Sequence, residues 1–109
     1  WWADGVGPQS AWIEVKDTST VDAFPASELR PAQRLGIRTA NELGLPYWLV
    51  VHWRRWYGWT ISRAYPVLVT LLAKNATSIS RSELMGLGIE STPGQLAQNL
   101  RAALLGDLD

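Results

Sequence analysis

Three residues near the start of the chain have the types and spacing for metal-assisted attack on a phosphate: Asp4, Glu14 and Lys16. In the stretch "WIEVK", residues 12 to 16, side chains of an extended strand alternate, so Trp12, Glu14 and Lys16 point one way and Ile13 and Val15 the other. The apolar pair is expected to face helices, leaving the opposite face for chemistry. Asp4 precedes Glu14 by ten positions, and if "WWAD" is a strand turned back by "GVGPQSA", a hairpin brings the two carboxylates together. Two carboxylates a few ångströms apart repel, and a hard divalent cation relieves that repulsion. Mg2+, with Mn2+ as a substitute, accepts such oxygen ligands and retains waters. A water bound to that ion is acidified, while a Lys16 ammonium beside it can hold the water or counter charge on a pentacovalent phosphate. The same Glu-x-Lys spacing also occurs as a plain surface ion pair, and Asp4-Gly5 is equally a turn signal. Asp17 faces away and is expected to be exposed or turn-forming.

Composition restricts the alternatives. Without cysteine the 109-residue chain has no disulfide and no thiolate zinc site, and with His52 its sole histidine it cannot build a multi-histidine metal cluster. Any bound metal must be held mainly by oxygen. No run reaches the roughly 18 apolar residues of a membrane span; "AYPVLVTLLA" is interrupted by proline and threonine and followed by Lys74. No secretory signal is evident, so a cytoplasmic location is expected, and the abrupt "WWADG" opening is expected of a chain that begins inside a longer one. The length suits a single domain, residues 1–109, with a modest core.

The formal net charge is zero, yet it is unevenly placed. Residues 1–27 hold Asp4, Glu14, Asp17 and Asp22 against Lys16, whereas residues 28–63 hold Arg30, Arg34, Arg38, Arg54, Arg55 and Arg63 against Glu28 and Glu42. An acidic centre beside an arginine-rich surface suits action on a polyanion, since guanidinium groups clamp phosphates in pairs of hydrogen bonds. Ordinary solvated charge is the plainer account of the same pattern.

The elements that must position these residues follow from periodicity. After the strand at 12–16, residues 17–30 read as a loop with a turn around "PASEL". Pro31 opens a helix reaching to about Leu43, stopped by Gly44 and Pro46, with Ala32, Leu35, Ala40 and Leu43 expected inside. Arg30, Arg34 and Arg38 then form a stripe on its outer face. "YWLVVHW", residues 47–53, reads as a buried strand, "RRWYG" as a hairpin turn and "WTISR" as the returning strand. "AYPVLVTLLAKN" is compatible with helix or strand. Thr92, Pro93 and Gln95 match a capping box that opens a helix ending at Gly106. The order implies a mixed α/β layer around a small sheet. Trp48, Val50 and His52 share one face of their strand, and His52 reads as a satisfied structural residue. Trp56, Tyr57 and Trp59 cluster near the turn, where core packing, a dimer surface or a wedge against opened bases would each fit.

"DGVG" at 4–7, "IEVKDT" at 13–18, "FPASEL" at 24–29, "PAQ" at 31–33, "GLPYWLVV" at 44–51 and "TSISRSELMGLG" at 77–88 resemble the core of the PD-(D/E)XK nuclease superfamily. The likeness is greatest to RecU-type and phage Holliday junction resolvases, and it lies mainly in residues 4–51. It implies a restriction-endonuclease-like α/β core, a small mixed sheet flanked by helices. It also implies a homodimeric, magnesium-dependent endonuclease that resolves four-way DNA junctions by paired phosphodiester hydrolysis. On this pattern Asp4 and Glu14 match the metal-binding carboxylates, Lys16 the catalytic lysine and Gln33 the glutamine of the neighbouring helix. Thr18 falls where a threonine supports the loop or touches phosphate. Arg30, Arg34, Arg38, Arg54 and Arg55 are the expected DNA contacts. The chain departs from the resolvases in reading "PAQ" where histidine usually precedes the glutamine, and in lacking their N-terminal basic region. Another nuclease of this core, a DNA-binding or assembly module without turnover, and an enzyme acting on something other than nucleic acid remain as alternatives.

Overall fold

The computed structural model describes residues 12–55 and 58–104. The Asp4 hairpin, Trp56, Tyr57 and the helix end at Gly106 lie outside the described residues. Strand β1 (Trp12–Thr18) is followed by a short strand β2 (Ala23–Pro25), a 3-10 turn (Ala26–Glu28), helix α1 (Pro31–Glu42) and strand β3 (Tyr47–Trp53). Then come β4 (Gly58–Arg63), α2 (Ala64–Ala73), β5 (Ser78–Ser80), α3 (Arg81–Gly86), β6 (Gly88–Ser91), a second 3-10 turn (Pro93–Gln95) and α4 (Leu96–Leu104). The result is a compact α/β fold with a mixed four-stranded sheet in the order β1-β3-β4-β6.

β1 and β3 are parallel neighbours with Glu14 opposite Leu49, Lys16 opposite Val51 and Thr18 opposite Trp53. Parallel neighbours need a crossover, which α1 supplies. β3 and β4 are antiparallel across the predicted hairpin, with Val50 opposite Ile61. β6 completes the sheet antiparallel to β4, with Gly88 opposite Ser62. A Cβ at Gly88 would stand 1.9 Å from the Ile61 carbonyl oxygen, so that register requires glycine.

β3 is covered on both faces. Leu49, Val51 and Trp53 join Phe24, Leu29, Ile37, Val67, Leu68, Leu71, Ile79 and Leu84 in the larger core. On the other side Trp48, Val50 and Ile61 pack with Ile13, Trp59, Ile89, Leu96 and Leu100. The long apolar run of β3 thus matches burial on two sides. Buried Trp53 donates its indole N–H to Thr60 Oγ1 at 3.1 Å, which satisfies both polar groups inside the larger core.

Several sequence expectations are corrected. The segment 17–30 is not wholly loop: β1 runs to Thr18, and β2 pairs antiparallel with β5, setting Phe24 opposite Ile79. That partner lies more than fifty positions away, beyond the reach of local turn signals. Helix α1 is rotated from the expected setting. Ile37 and Ala40 are buried, whereas Leu35 is 65% and Leu43 68% exposed. Gly36 and Ile37 fit the space against β3 that Leu35 was expected to fill. The segment 64–75 resolves as helix over Ala64–Ala73, with Pro66 in the first turn, where its missing N–H costs nothing. Near Thr92 the contact is a backbone turn, Gln95 N–H to the Thr92 carbonyl, rather than the expected side-chain box. Among the described residues no helix is long and apolar enough to cross a membrane.

Candidate functional site

Glu14 and Lys16 lie on the same face of β1, as alternation requires, but that face is the one turned toward α1. By register they share it with Leu49 and Val51, which belong to the larger core together with Ile37 of α1. The opposite face carries Ile13, packed against the Trp48, Val50 and Ile61 cluster that Leu96 and Leu100 of α4 also cover, and Val15, which is 58% exposed. The expectation that the apolar pair alone would face helices is therefore half right. β1 is the edge strand among the described residues, so its inner face runs out from under the helical layer and leaves Glu14 and Lys16 half-buried.

Each charge in this region has a definite setting. Tyr47 Oη donates to Glu14 Oε1 at 3.2 Å. Burial, followed by the Glu14 charge and this hydrogen bond, pushes the Tyr47 hydroxyl up to about 12, so it keeps its proton through the neutral range. The Lys16 ammonium has no hydrogen-bond or ion-pair partner among the described residues; in particular it does not close the ion pair with Glu14 that the Glu-x-Lys spacing allows.

Gln33 lies in the first turn of α1, one turn before Ile37. The Gln33 Oε1 accepts the Arg30 backbone N–H at 3.0 Å and so helps to cap the helix. Thr18 is buried. Its Oγ1 lies 2.9 Å from Thr20 Oγ1 and accepts the Thr20 N–H at 3.2 Å, and Thr20 in turn donates to the Ala23 carbonyl. Of the two roles expected for Thr18, these contacts are those of loop support.

The arginines divide into two sets. Arg30, Arg34 and Arg38 line one open groove of about 400 Å³ with Ser27, Leu29, Pro31 and Leu35. Arg34 is fixed there, its Nε and Nη2 donating to the Leu29 and Ala26 carbonyls, both at 2.7 Å, while Arg30 and Arg38 are exposed. Arg54 and Arg55 instead tie β3 to the end of β1. Arg54 Nε lies 3.1 Å from Asp17 Oδ1, and Arg55 Nε donates to the Ser19 carbonyl at 3.0 Å. His52 Nδ1 also approaches Asp17, at 3.4 Å, and its ring stacks on Trp59 with centroids 4.5 Å apart. Asp17 thus faces away from Glu14, as expected, and lies between the Arg54 guanidinium and the His52 imidazole.

A hard divalent cation suits the carboxylate chemistry of Glu14. Glu14 is the carboxylate that the described residues contribute, and among them no group of three histidine or acidic side chains converges. The second expected ligand, Asp4, lies outside them.

Sequence reasoning missed Tyr47, whose hydroxyl reaches Glu14 from the neighbouring strand. The signal was available only after register: with Tyr47 opposite Trp12, its side chain is one same-face step from Glu14. In comparisons with known proteins, no family model matches the chain and no curated protein is similar enough to match it.

Proposed function

We propose that the chain is a magnesium-dependent DNA endonuclease with a restriction-endonuclease-like core, acting as a homodimer on four-way junctions in the cytoplasm of a bacterial or phage-infected cell. The observation that carries the reading is the pairing of Glu14 and Lys16 on one half-buried face of an edge strand, unneutralised by each other. The succession from that strand through a helix to a parallel neighbour agrees with it. So does the residue pattern that resembles RecU-type resolvases.

In this mechanism Glu14 and Asp4 hold the cation, which when bound supplies an acidified water and a positive charge at the phosphate. Lys16 presents its ammonium group where negative charge grows on the phosphoryl oxygens during in-line attack; a fixed cation in a partly dry site stabilises that charge more than water does. Gln33 caps the first turn of the helix that connects β1 to β3. Arg30, Arg34 and Arg38 bind backbone phosphates along the groove, placing the scissile bond without reading sequence.

A second reading has its own support. Gln33, Thr18, Arg34, Arg54 and Arg55 all make contacts that stabilise the chain itself, as they would in a DNA-binding or assembly module keeping this core without turnover. One experiment separates the two. Labelled four-way junctions and linear duplexes are incubated with the full-length protein, in Mg2+ or in chelator. Paired incisions across the junction, abolished by Glu14→Gln while binding persists, support the enzyme. Binding without incision under every condition favours the module, and cleavage of linear duplex alone would replace the junction by another DNA substrate.

A further inference from the structure

We propose that Tyr47 is a positioning residue that fixes the carboxylate of Glu14 for divalent-ion binding, an inference that rests on the nuclease reading. The Tyr47 hydroxyl donates to Oε1 of Glu14 at 3.2 Å, leaving Oε2 as the oxygen free to meet a cation. A glutamate on an edge strand otherwise turns about its terminal torsion and must be ordered when an ion binds. One oxygen held from the neighbouring strand removes part of that cost beforehand.

Tyr47 can do this because its own place is set by packing. It is half-buried against the larger core and shares a groove wall with Ile37, Asn41 and Leu45. Its ring lies along α1 at Gly36, where an added Cβ would stand 3.7 Å from Tyr47 Cε2. The parallel register then directs the phenol one step along β1, from Trp12 to Glu14. A hydrogen-bonded group outside the ligand set that orients a ligating carboxylate is a recurrent part of metal sites, and its removal typically weakens metal affinity about 10–100-fold.

A simple latch between strands would make the same contact, so the test reads ion affinity as well as folding. Mn2+ alone, without DNA, is titrated calorimetrically into the parent chain, into Tyr47→Phe and into Glu14→Gln, with thermal unfolding of each recorded in chelator. The expected result is measurable binding by the parent, none by Glu14→Gln, and an affinity lowered about 10-fold in Tyr47→Phe, which still unfolds cooperatively and stays folded at the titration temperature. Replacing Tyr47 by 4-aminophenylalanine, which keeps a ring donor, should recover most of the loss. If Tyr47→Phe is less stable, this donor replacement and a 4-methylphenylalanine control are compared at a temperature where both are folded, and only the donor should bind as the parent does. Equal affinity of parent and Tyr47→Phe would reduce Tyr47 to a latch and leave the nuclease reading standing. Absence of binding by the parent, or binding unaffected by Glu14→Gln, would overturn the role of Tyr47 and the nuclease reading together.

Discussion

β1 carries charged side chains on both faces, and the two faces treat them differently. On the outer face Asp17 is held by Arg54 at 3.1 Å and approached by His52 at 3.4 Å, and His52 is stacked on Trp59. On the inner face Glu14 has one neutral donor, Tyr47, and Lys16 has no polar partner among the described residues. A half-exposed charge that its neighbours neutralise serves the fold. The contrast places Asp17, His52, Arg54 and Arg55 at the joint between β1 and β3, and leaves Glu14 and Lys16 as the pair on which the proposed chemistry rests.

The largest test of that contrast is catalytic. Glu14→Gln and Lys16→Met are each expected to lower Mg2+-dependent incision of a labelled junction by about 100–1,000-fold. Asp17→Asn, one residue away on the other face, should leave the rate within about threefold. A similar loss from all three would erase the distinction between faces. The second test is of stability. Leu68→Ala, in the larger core, should cost about 2–5 kcal/mol in urea unfolding, whereas Leu100→Ala, in the half-buried outer cluster, should cost less.

The Tyr47 hydroxyl gives a smaller effect with a defined sign. Its acidity is about 12 in the folded chain against the ordinary value of 10.0, so unfolding releases its proton at lower pH. The stabilisation is complete below pH 10 and is lost as pH rises through about 12. For a half-buried group it amounts to about 1 kcal/mol once solvent screening is allowed for. Denaturant midpoints measured across that window should fall more steeply for the parent than for Tyr47→Phe. The smallest effect concerns the arginines. Arg30→Ala and Arg38→Ala should each reduce the slope of log affinity for DNA against log salt by about one. Arg54→Ala, whose guanidinium is already committed to Asp17, should change it less.

Legibility of the sequence followed the range of the interactions. Strand β3, the turn after it and the span of α1 were readable because composition, alternation and the Pro31 and Gly44 boundaries are local. The common side taken by Glu14 and Lys16 was readable for the same reason. The inward setting of that side was not, because it depends on which edge of the sheet β1 occupies. The rotation of α1 was misread through Leu35, an apolar residue exposed on a helix that meets Tyr47 at Gly36. The roles of Arg34, Arg54 and Arg55 as braces on backbone carbonyls or on Asp17 needed coordinates, since charge alone does not reveal a carbonyl nearby.

The small ladder between β2 and β5 has a bearing on how the protein comes into being. It is joined by backbone bonds from Ala26 to Thr77 and from Arg81 to Asp22, so the segment leading from Lys16 to Gln33 is clasped by residues made much later. On a ribosome, β1, α1 and β3 can emerge and begin to associate while that segment still lacks its clasp. The nascent chain therefore holds β1, α1 and β3 before residues 78–81 have cleared the exit tunnel, and only then can the ladder close over the connection between β1 and α1.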